Sequence, residues 1–207
     1  MESIVHAFQE GGGWMYAILV VNIIVIGIAV ERTIWLFFQA GMNRKDVMRR
    51  IEKHVRDGEL DRAKGLVAKH KAPLAKVIAA GLGTQGQGQD AAMMLMNEAS
   101  LMEIPKIEAR VGYLVMFSNI STLLGLLGTI VGLIRSFSAV ASASASEKAT
   151  ELARGISEAM NCTAFGLIVA ISALLMYAWL QNRAHSLVDD VRMASTSLRN
   201  VISEVKW

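Results

Sequence analysis

The sequence has few of the residues that cross-link a fold or build a catalytic centre. Its one cysteine, Cys162, has no partner for an internal disulfide, and its place in an apolar run favours a small packing residue over a redox thiol. The four histidines show no metal-binding spacing such as HExxH, and CxxC, GxSxG and phosphate-loop motifs are absent. We therefore expect a protein that is not an enzyme and that uses no metal and no cofactor.

Charge is missing from three long stretches of the chain. Residues 11–30, 111–134 and 159–182 contain no Asp, Glu, Lys or Arg, and 53% of the whole chain is hydrophobic. About 20 apolar residues in an α-helix cross the hydrocarbon core, so each run is long enough to span a bilayer. The sequence therefore predicts an all-α polytopic membrane protein with three transmembrane helices. Their predicted bounds are 14–40, 111–140 and 154–181.

The basic residues are distributed unevenly. Of the 21 Lys and Arg residues, 13 lie between Gly41 and Arg110, whereas none precedes Arg32. The positive-inside rule therefore predicts that region 41–110 is cytoplasmic and that the N-terminus is periplasmic. This bias and the attraction of anionic headgroups account for the basic clusters, so we expect contact with membrane lipids and no nucleic-acid partner.

The segments between the spans are predicted to be helical or short. Residues 1–13 are expected to form a periplasmic interfacial helix that glycines end, and 141–153 a short periplasmic loop. The cytoplasmic region 41–110 has helical apolar spacing, with short breaks at Asp57-Gly58 and at 81–89. No strand-like alternation of any length occurs in it.

Two further features concern the cytoplasmic helices. The helix that starts at Asp90 is expected to run into the second span, with Pro105 as its kink or break. Residues 182–207 are predicted to form a cytoplasmic helical tail with a heptad-like apolar stripe, which packs either against region 43–110 or against other copies of the tail. The stripe consists of Leu187, Val191, Ala194, Leu198, Val201 and Val205.

Small residues and one threonine recur in each arm of the hairpin formed by the second and third spans. Glycines let two helix backbones touch, and the buried hydroxyls of Thr129 and Thr163 can bond backbone carbonyls. Helix packing is therefore the favoured interpretation of the hairpin glycines, and a pore-lining role is the alternative. These glycines are Gly125, Gly128, Gly132 and Gly166.

Charged residues flank the spans. Glu31 and Arg32, at the end of the first span, are either a solvated pair at the membrane edge or a specific pair between subunits. Arg135 and Glu158 bracket the hairpin on its outer side, roughly 8 to 9 Å beyond the level of the threonines. They are either independent solvated charges or an ion pair, within or between subunits, that closes the outer mouth.

Two motifs in the hairpin carry a family resemblance. The second span contains LGLLGTIVGLI at 124–134, followed by Phe137, and the third contains GISEA at 155–159 and TAFGLIVAI at 163–171. In this order and at this separation the motifs resemble those of the MotA/TolQ/ExbB proton channel family. The three-span topology is closer to ExbB and TolQ than to MotA, which has a fourth span.

The resemblance implies a homopentamer in a bacterial inner membrane, whose second and third helices line a central pore. An ExbD/TolR-like single-span partner would supply the proton-binding aspartate, which fits spans whose middle thirds contain no ionisable group. Thr129 and Thr163 match the polar pore positions, where their hydroxyls either bond the partner carboxyl and water or only join the two helices. The resemblance also favours a functional Glu158. Thr122 and Ser172 depart from the pattern, because prolines are common there, and helix kinks at these positions stay open.

The function that the resemblance implies is conversion of proton motive force into mechanical work on the cell envelope. The further partner would be a TonB/TolA-like protein or a gliding-motor protein. The alternative is a passive membrane scaffold, in which the same small-residue hairpin only assembles a complex.

Overall fold

The structure is a computed structural model of the chain, and it describes residues 12–142 and 144–205. Within these residues the chain forms helices and no strand, which confirms the all-α prediction. A π-helical turn, Trp35–Gln39, follows the first helix. The predicted interfacial helix at 1–13 lies outside the described residues, except for Gly12 and Gly13, with which the first helix begins. The α-helices are α1 (Gly12–Ile34), α2 (Arg44–Arg56), α3 (Leu60–Ala68), α4 (Pro73–Leu82), α5 (Gln89–Glu108), α6 (Tyr113–Ser142) and α7 (Lys148–Glu204).

Three helical stretches, which contain α1, α6 and α7, are long and apolar enough to cross a membrane. The prediction of a polytopic membrane protein with three spans is therefore confirmed. The chain folds into two compact units. The membrane unit comprises the chain up to Val30 and Arg110–Ala178, and the polar unit comprises Glu31–Ala109 and the chain from Trp179 onward. The sidedness of the loops stays a prediction.

An apolar cluster joins the helices of the membrane unit. Met15 and Ile18 of α1 are buried together with Cys162 and Val169 of α7. Leu124 of α6 packs against the same cluster, so all three spans contribute to it. Cys162 carries a free thiol and is only 1% exposed. Its surroundings are those of a small apolar packing residue.

The polar unit has a core of its own. Large side chains from α2, α4, α5 and α7 are almost fully buried in it. Helices α2 and α4 are amphipathic, as expected where one face packs on a core and the other contacts water. The fully buried side chains include Ile51, Ile78, Leu82, Met96, Leu198 and Ile202.

The tail stripe packs within its own chain. Leu187, Val191 and Leu198 are at most 5% exposed. A Cβ built at Gly81 would lie 3.1 Å from a methyl carbon of Leu198, which places α4 directly against the tail. Of the two predicted arrangements, the structure therefore has the one in which the stripe contacts the 43–110 region.

The helix does not break at Pro105, and a kink there stays a prediction. Pro105 lies inside α5, and the chain leaves the helix at Ala109 and continues through Arg110, with φ of 63°, to Gly112. A proline inside a helix removes one hydrogen bond and crowds the carbonyl four residues earlier, yet α5 is helical on both sides of Pro105. The chain stops being helical where the carbonyls of Lys106 and Ala109 accept hydrogen bonds from another segment, as described below.

Other boundaries also differ from the expected ones. A third break, absent from the prediction, separates α3 from α4, and Pro73 occupies the first turn of α4, where its missing N–H is harmless. Gly81 and Leu82 are still helical, so the second expected break begins at Gly83. Helix α7 begins at Lys148, so residues 148–153 of the expected loop are helical.

Candidate functional site in the α6–α7 hairpin

The glycines of the hairpin lie where α6 and α7 touch. A Cβ built at Gly125 would lie 3.2 Å from the Cα of Thr163, and one at Gly166 would lie 2.8 Å from the carbonyl oxygen of Ser121. A Cβ at Gly132 would lie 3.1 Å from that of Ala159. Ordinary side chains at these three positions would push the helices apart, because backbone and Cβ atoms cannot rotate away.

Gly128 faces a different neighbour. A Cβ there would overlap the sulfur of Cys162 and would lie 3.3 Å from the Cβ of Trp14. All four predicted packing glycines therefore occupy close contacts between helices of the membrane unit. Within this single chain their surroundings are protein side chains and backbone, which is the arrangement that the packing interpretation requires.

Serine hydroxyls cross the same interface. Ser118 Oγ donates to the carbonyl of Ala170 and Ser121 Oγ to that of Gly166, both at 3.0 Å. Both serines are at most 2% exposed. Each bond satisfies a hydroxyl in the apolar environment and ties α6 to a backbone group of α7.

The two predicted site threonines are brought together. Thr129 Oγ1 is within hydrogen-bonding distance of Thr163 Oγ1, and both contact the carbonyl oxygen of Gly125, at 3.1 and 3.0 Å. Thr129 Oγ1 also lies 3.3 Å from the carbonyl oxygen of Ala159. Both side chains are partly exposed. The hydroxyls therefore join the helices and also lie at the surface of the hairpin.

Glu158 lies apart from Arg135. Its carboxylate is against Gly12, at the start of α1, where a Cβ would overlap Oε1. Arg135 is exposed on α6, and within the described residues no ion pair joins it to Glu158. The pairing is thus not formed inside the chain, and its intersubunit form stays a prediction.

Glu31 and Arg32 pair inside the chain and are not the solvated pair of the first alternative, whereas a pairing between subunits stays a prediction. Arg32 is 5% exposed, and its guanidinium bonds both oxygens of Glu31, at 2.6 and 2.9 Å. It also donates to the carbonyls of Lys106 (3.4 Å) and Ala109 (3.1 Å), and it stacks over the ring of Trp35. The buried guanidinium of Arg32 therefore connects the end of α1 to the end of α5, and the partly exposed Glu31 balances its charge.

The hydroxyls at the two positions that depart from the family pattern bond within their own helices. Thr122 Oγ1 donates to the carbonyl of Ser118 at 3.1 Å, and Ser172 Oγ to that of Ile168 at 2.8 Å. Helices α6 and α7 continue through both residues.

The sequence analysis missed the serines of the interface. Ser118, Ser121 and Ser136 are buried on the face of α6 that carries the glycines. Extending the glycine spacing by steps of three and four residues in both directions reaches each of them. That periodicity was the available signal.

The sequence matches the model of the MotA/TolQ/ExbB proton channel family over residues 69–193. The chain belongs to this family. The match includes both threonines, the hairpin glycines and Glu158, so the site described above lies within the part of the chain that defines the family.

The names of individual relatives are consistent with this family. An ExbB-like biopolymer transport protein of Synechocystis is 30% identical over 175 residues, covering 81% of this chain and 80% of the relative. The Tol-Pal system protein TolQ of Haemophilus influenzae is 37% identical over 100 residues, covering 47% of this chain and 42% of TolQ.

One solved structure has a similar fold. The chain resembles one in the structure of C. jejuni MotAB with a TM-score of 0.63 and 15% identity, covering 86% of this chain and 69% of that one. At this identity the similarity supports the fold alone.

Proposed function

We propose that this chain is the proton-channel subunit of an ExbB/TolQ-type motor. Five copies form a ring around the transmembrane helices of an ExbD/TolR-like partner, and proton flow through the partner's aspartate is converted into mechanical work on the cell envelope. Family membership supports the proton-channel role. The pentamer, the partner and an output through a TonB/TolA-like or gliding-motor protein are parts of the proposal.

The observation that carries the proposal is the meeting of Thr129 and Thr163. Two hydroxyls at one level of the uncharged hairpin form a partly exposed polar surface at membrane depth. They lie in stretches that have no Asp, Glu, Lys or Arg, so this chain offers polarity there without a charge. A proton relay at that depth needs an ionisable group, which a partner would supply.

The exposed faces of the hairpin support an oligomer. Large apolar side chains on α6 and α7 remain exposed in the single chain, including Leu123 (63%), Met160 (65%) and Leu175 (69%). Lipid can cover such faces, but a ring of subunits around a partner also needs outward apolar surfaces of this kind. We expect native mass spectrometry of the protein alone to give a pentamer, whereas monomers or dimers would contradict the ring.

The proton-channel role is tested in reconstituted vesicles. The chain and its partner are co-reconstituted, and proton uptake is followed with an internal pH dye under an imposed potential. The variants Thr129→Val and Thr163→Val keep the shape of the side chain and remove the hydroxyl. We expect each to lower the flux at least tenfold while the assembly stays intact.

The matched control is Thr122→Val, because the hydroxyl of Thr122 bonds within its own helix. Its flux should stay close to that of the wild type. Flux that is unchanged in all three variants, with an intact assembly, would favour the passive scaffold.

A further inference from the structure

A basic cleft lies in the polar unit, directly after the first membrane span. Its volume is about 660 Å³, and its walls come from the turn at 35–39, the segment 69–73 and the facing turns of α4 and α5. Trp35 and Phe38 form an aromatic side. Four lysines are also part of the lining: Lys69, Lys71, Lys76 and Lys106.

A buried carboxylate fixes two of these lysines. Glu103 is 6% exposed and accepts hydrogen bonds from Lys76 Nζ (3.1 Å) and Lys106 Nζ (2.5 Å). Burial alone would raise the pKa of Glu103, but the hydrogen bonds from Lys106 and Lys76 outweigh it and hold the pKa below its usual value. Each ammonium group has three donors, so both keep at least one donor for a further anion.

The other two lysines add charge that is not offset locally. Lys69 and Lys71 are exposed in the turn between α3 and α4, and neither forms an ion pair with another described residue. Helix α4 starts at the same wall, and its N-cap, Ala72, has no side-chain oxygen for the first N–H groups. Four ammonium groups against one carboxylate, beside a helix N-terminus, match the chemistry of a phosphate group.

The position beside the membrane indicates the source of that phosphate. Phe38 is 81% exposed, and it and Trp35 directly follow the apolar helix α1. Aromatic side chains at the end of a span lie at the level of the lipid headgroups. Contact with an apolar wall does not stabilise a bound phosphate ion. It does stabilise the acyl chain of a bound lipid. We propose that this cleft binds the headgroup of an anionic phospholipid from the adjacent leaflet.

The test uses the full chain in detergent, titrated with phosphatidylglycerol and separately with phosphatidylcholine, with bound lipid counted by native mass spectrometry. The variant Lys69→Ala with Lys71→Ala should lower the affinity for phosphatidylglycerol roughly 30-fold, because each lysine near an anionic headgroup contributes about a fivefold factor. Replacing both lysines by arginine keeps the charge and should preserve most of the binding. Phe38→Ala should weaken lipid binding as well.

The matched control is Lys45→Ala with Lys53→Ala, which removes the same charge from exposed positions outside the cleft. An equal loss in this control would overturn the proposal, because binding would then depend on diffuse surface charge. Equal affinity for the two lipids would overturn it too. Displacement of the lipid by millimolar inorganic phosphate would assign the cleft to a soluble anion and would also overturn it.

Discussion

Arg32 donates a hydrogen bond of 3.1 Å to the carbonyl oxygen of Ala109, the residue that directly follows the last helical residue of α5. The last carbonyls of a helix have no partner within it, and a cation at that end also interacts favourably with the helix dipole. The side chain of Arg32 is 7% exposed, and Glu31 balances its charge. The end of the first membrane helix therefore fixes the point where the chain leaves α5.

Replacing Arg32 with methionine should lower the free energy of unfolding by about 2 kcal/mol, because it removes charged hydrogen bonds and takes this donor away from the carbonyls of Lys106 and Ala109. Thermal or denaturant unfolding in detergent measures the change. The control is Arg49→Met, since Arg49 is 79% exposed in a surface pair with Asp46 and should matter by less than about 0.5 kcal/mol. Equal losses in the two variants would contradict the capping role.

Gly128→Ala should destabilise the membrane unit by about 2 kcal/mol, because the new methyl group overlaps the sulfur of Cys162. Cys162→Ala removes that sulfur, so the double variant should lose less than the sum of the two single losses. Unfolding in detergent gives the three values. Gly27→Ala is the control, since a Cβ there meets nothing within 4 Å. Additive losses would show that the sulfur is not the obstacle.

The polar unit should lose stability in acid through Glu103. The pKa of Glu103 in the folded chain lies below its usual value of 4.5, since the two lysine hydrogen bonds outweigh burial. A depressed pKa contributes stability above the unfolded value, and this contribution disappears as the pH falls through the folded value. Melting temperatures measured from pH 7 down to pH 3 should therefore fall more steeply in the wild type than in Glu103→Gln. Parallel curves would contradict this.

The intersubunit pairing of Arg135 with Glu158 predicts a specific rescue. Each single reversal, Arg135→Glu or Glu158→Arg, should weaken assembly, and the double reversal should restore it, because opposite charges would again face each other. Native mass spectrometry reports the oligomer in each case. A double variant that assembles no better than the worse single variant means that the two charges do not pair.

Much of the fold could be predicted from uncharged runs. The three spans follow from 20 or more residues without charge, because the bilayer allows little else there. The break after α5 could not be predicted in the same way. Its position depends on Arg32, which is 77 positions away from Ala109 in the chain, and local propensity contains no information about that contact.

At the site, too, some features could be predicted from the sequence and others could not. The spacing of glycines and serines along α6 marks the interface, since one helix face must be small for two backbones to touch. The position of Glu158 against Gly12 could not be predicted, because it depends on how α1 approaches the hairpin. The resemblance favours a functional Glu158, which stays a prediction, but it does not indicate which residue lies beside it.

The two threonines leave hydrogen-bond acceptors, but no free donor, at the surface of the hairpin. Their protons have acceptors in the carbonyl oxygens of Gly125 and Ala159 and in each other. A hydroxyl has one proton and two lone pairs, so the pair presents acceptors to its surroundings and has no spare donor. A neutral carboxylic acid can bond to such a surface at once, whereas an ionised one must first break a bond between the helices. We therefore expect such a pair to favour the protonated form of any carboxyl group placed against it.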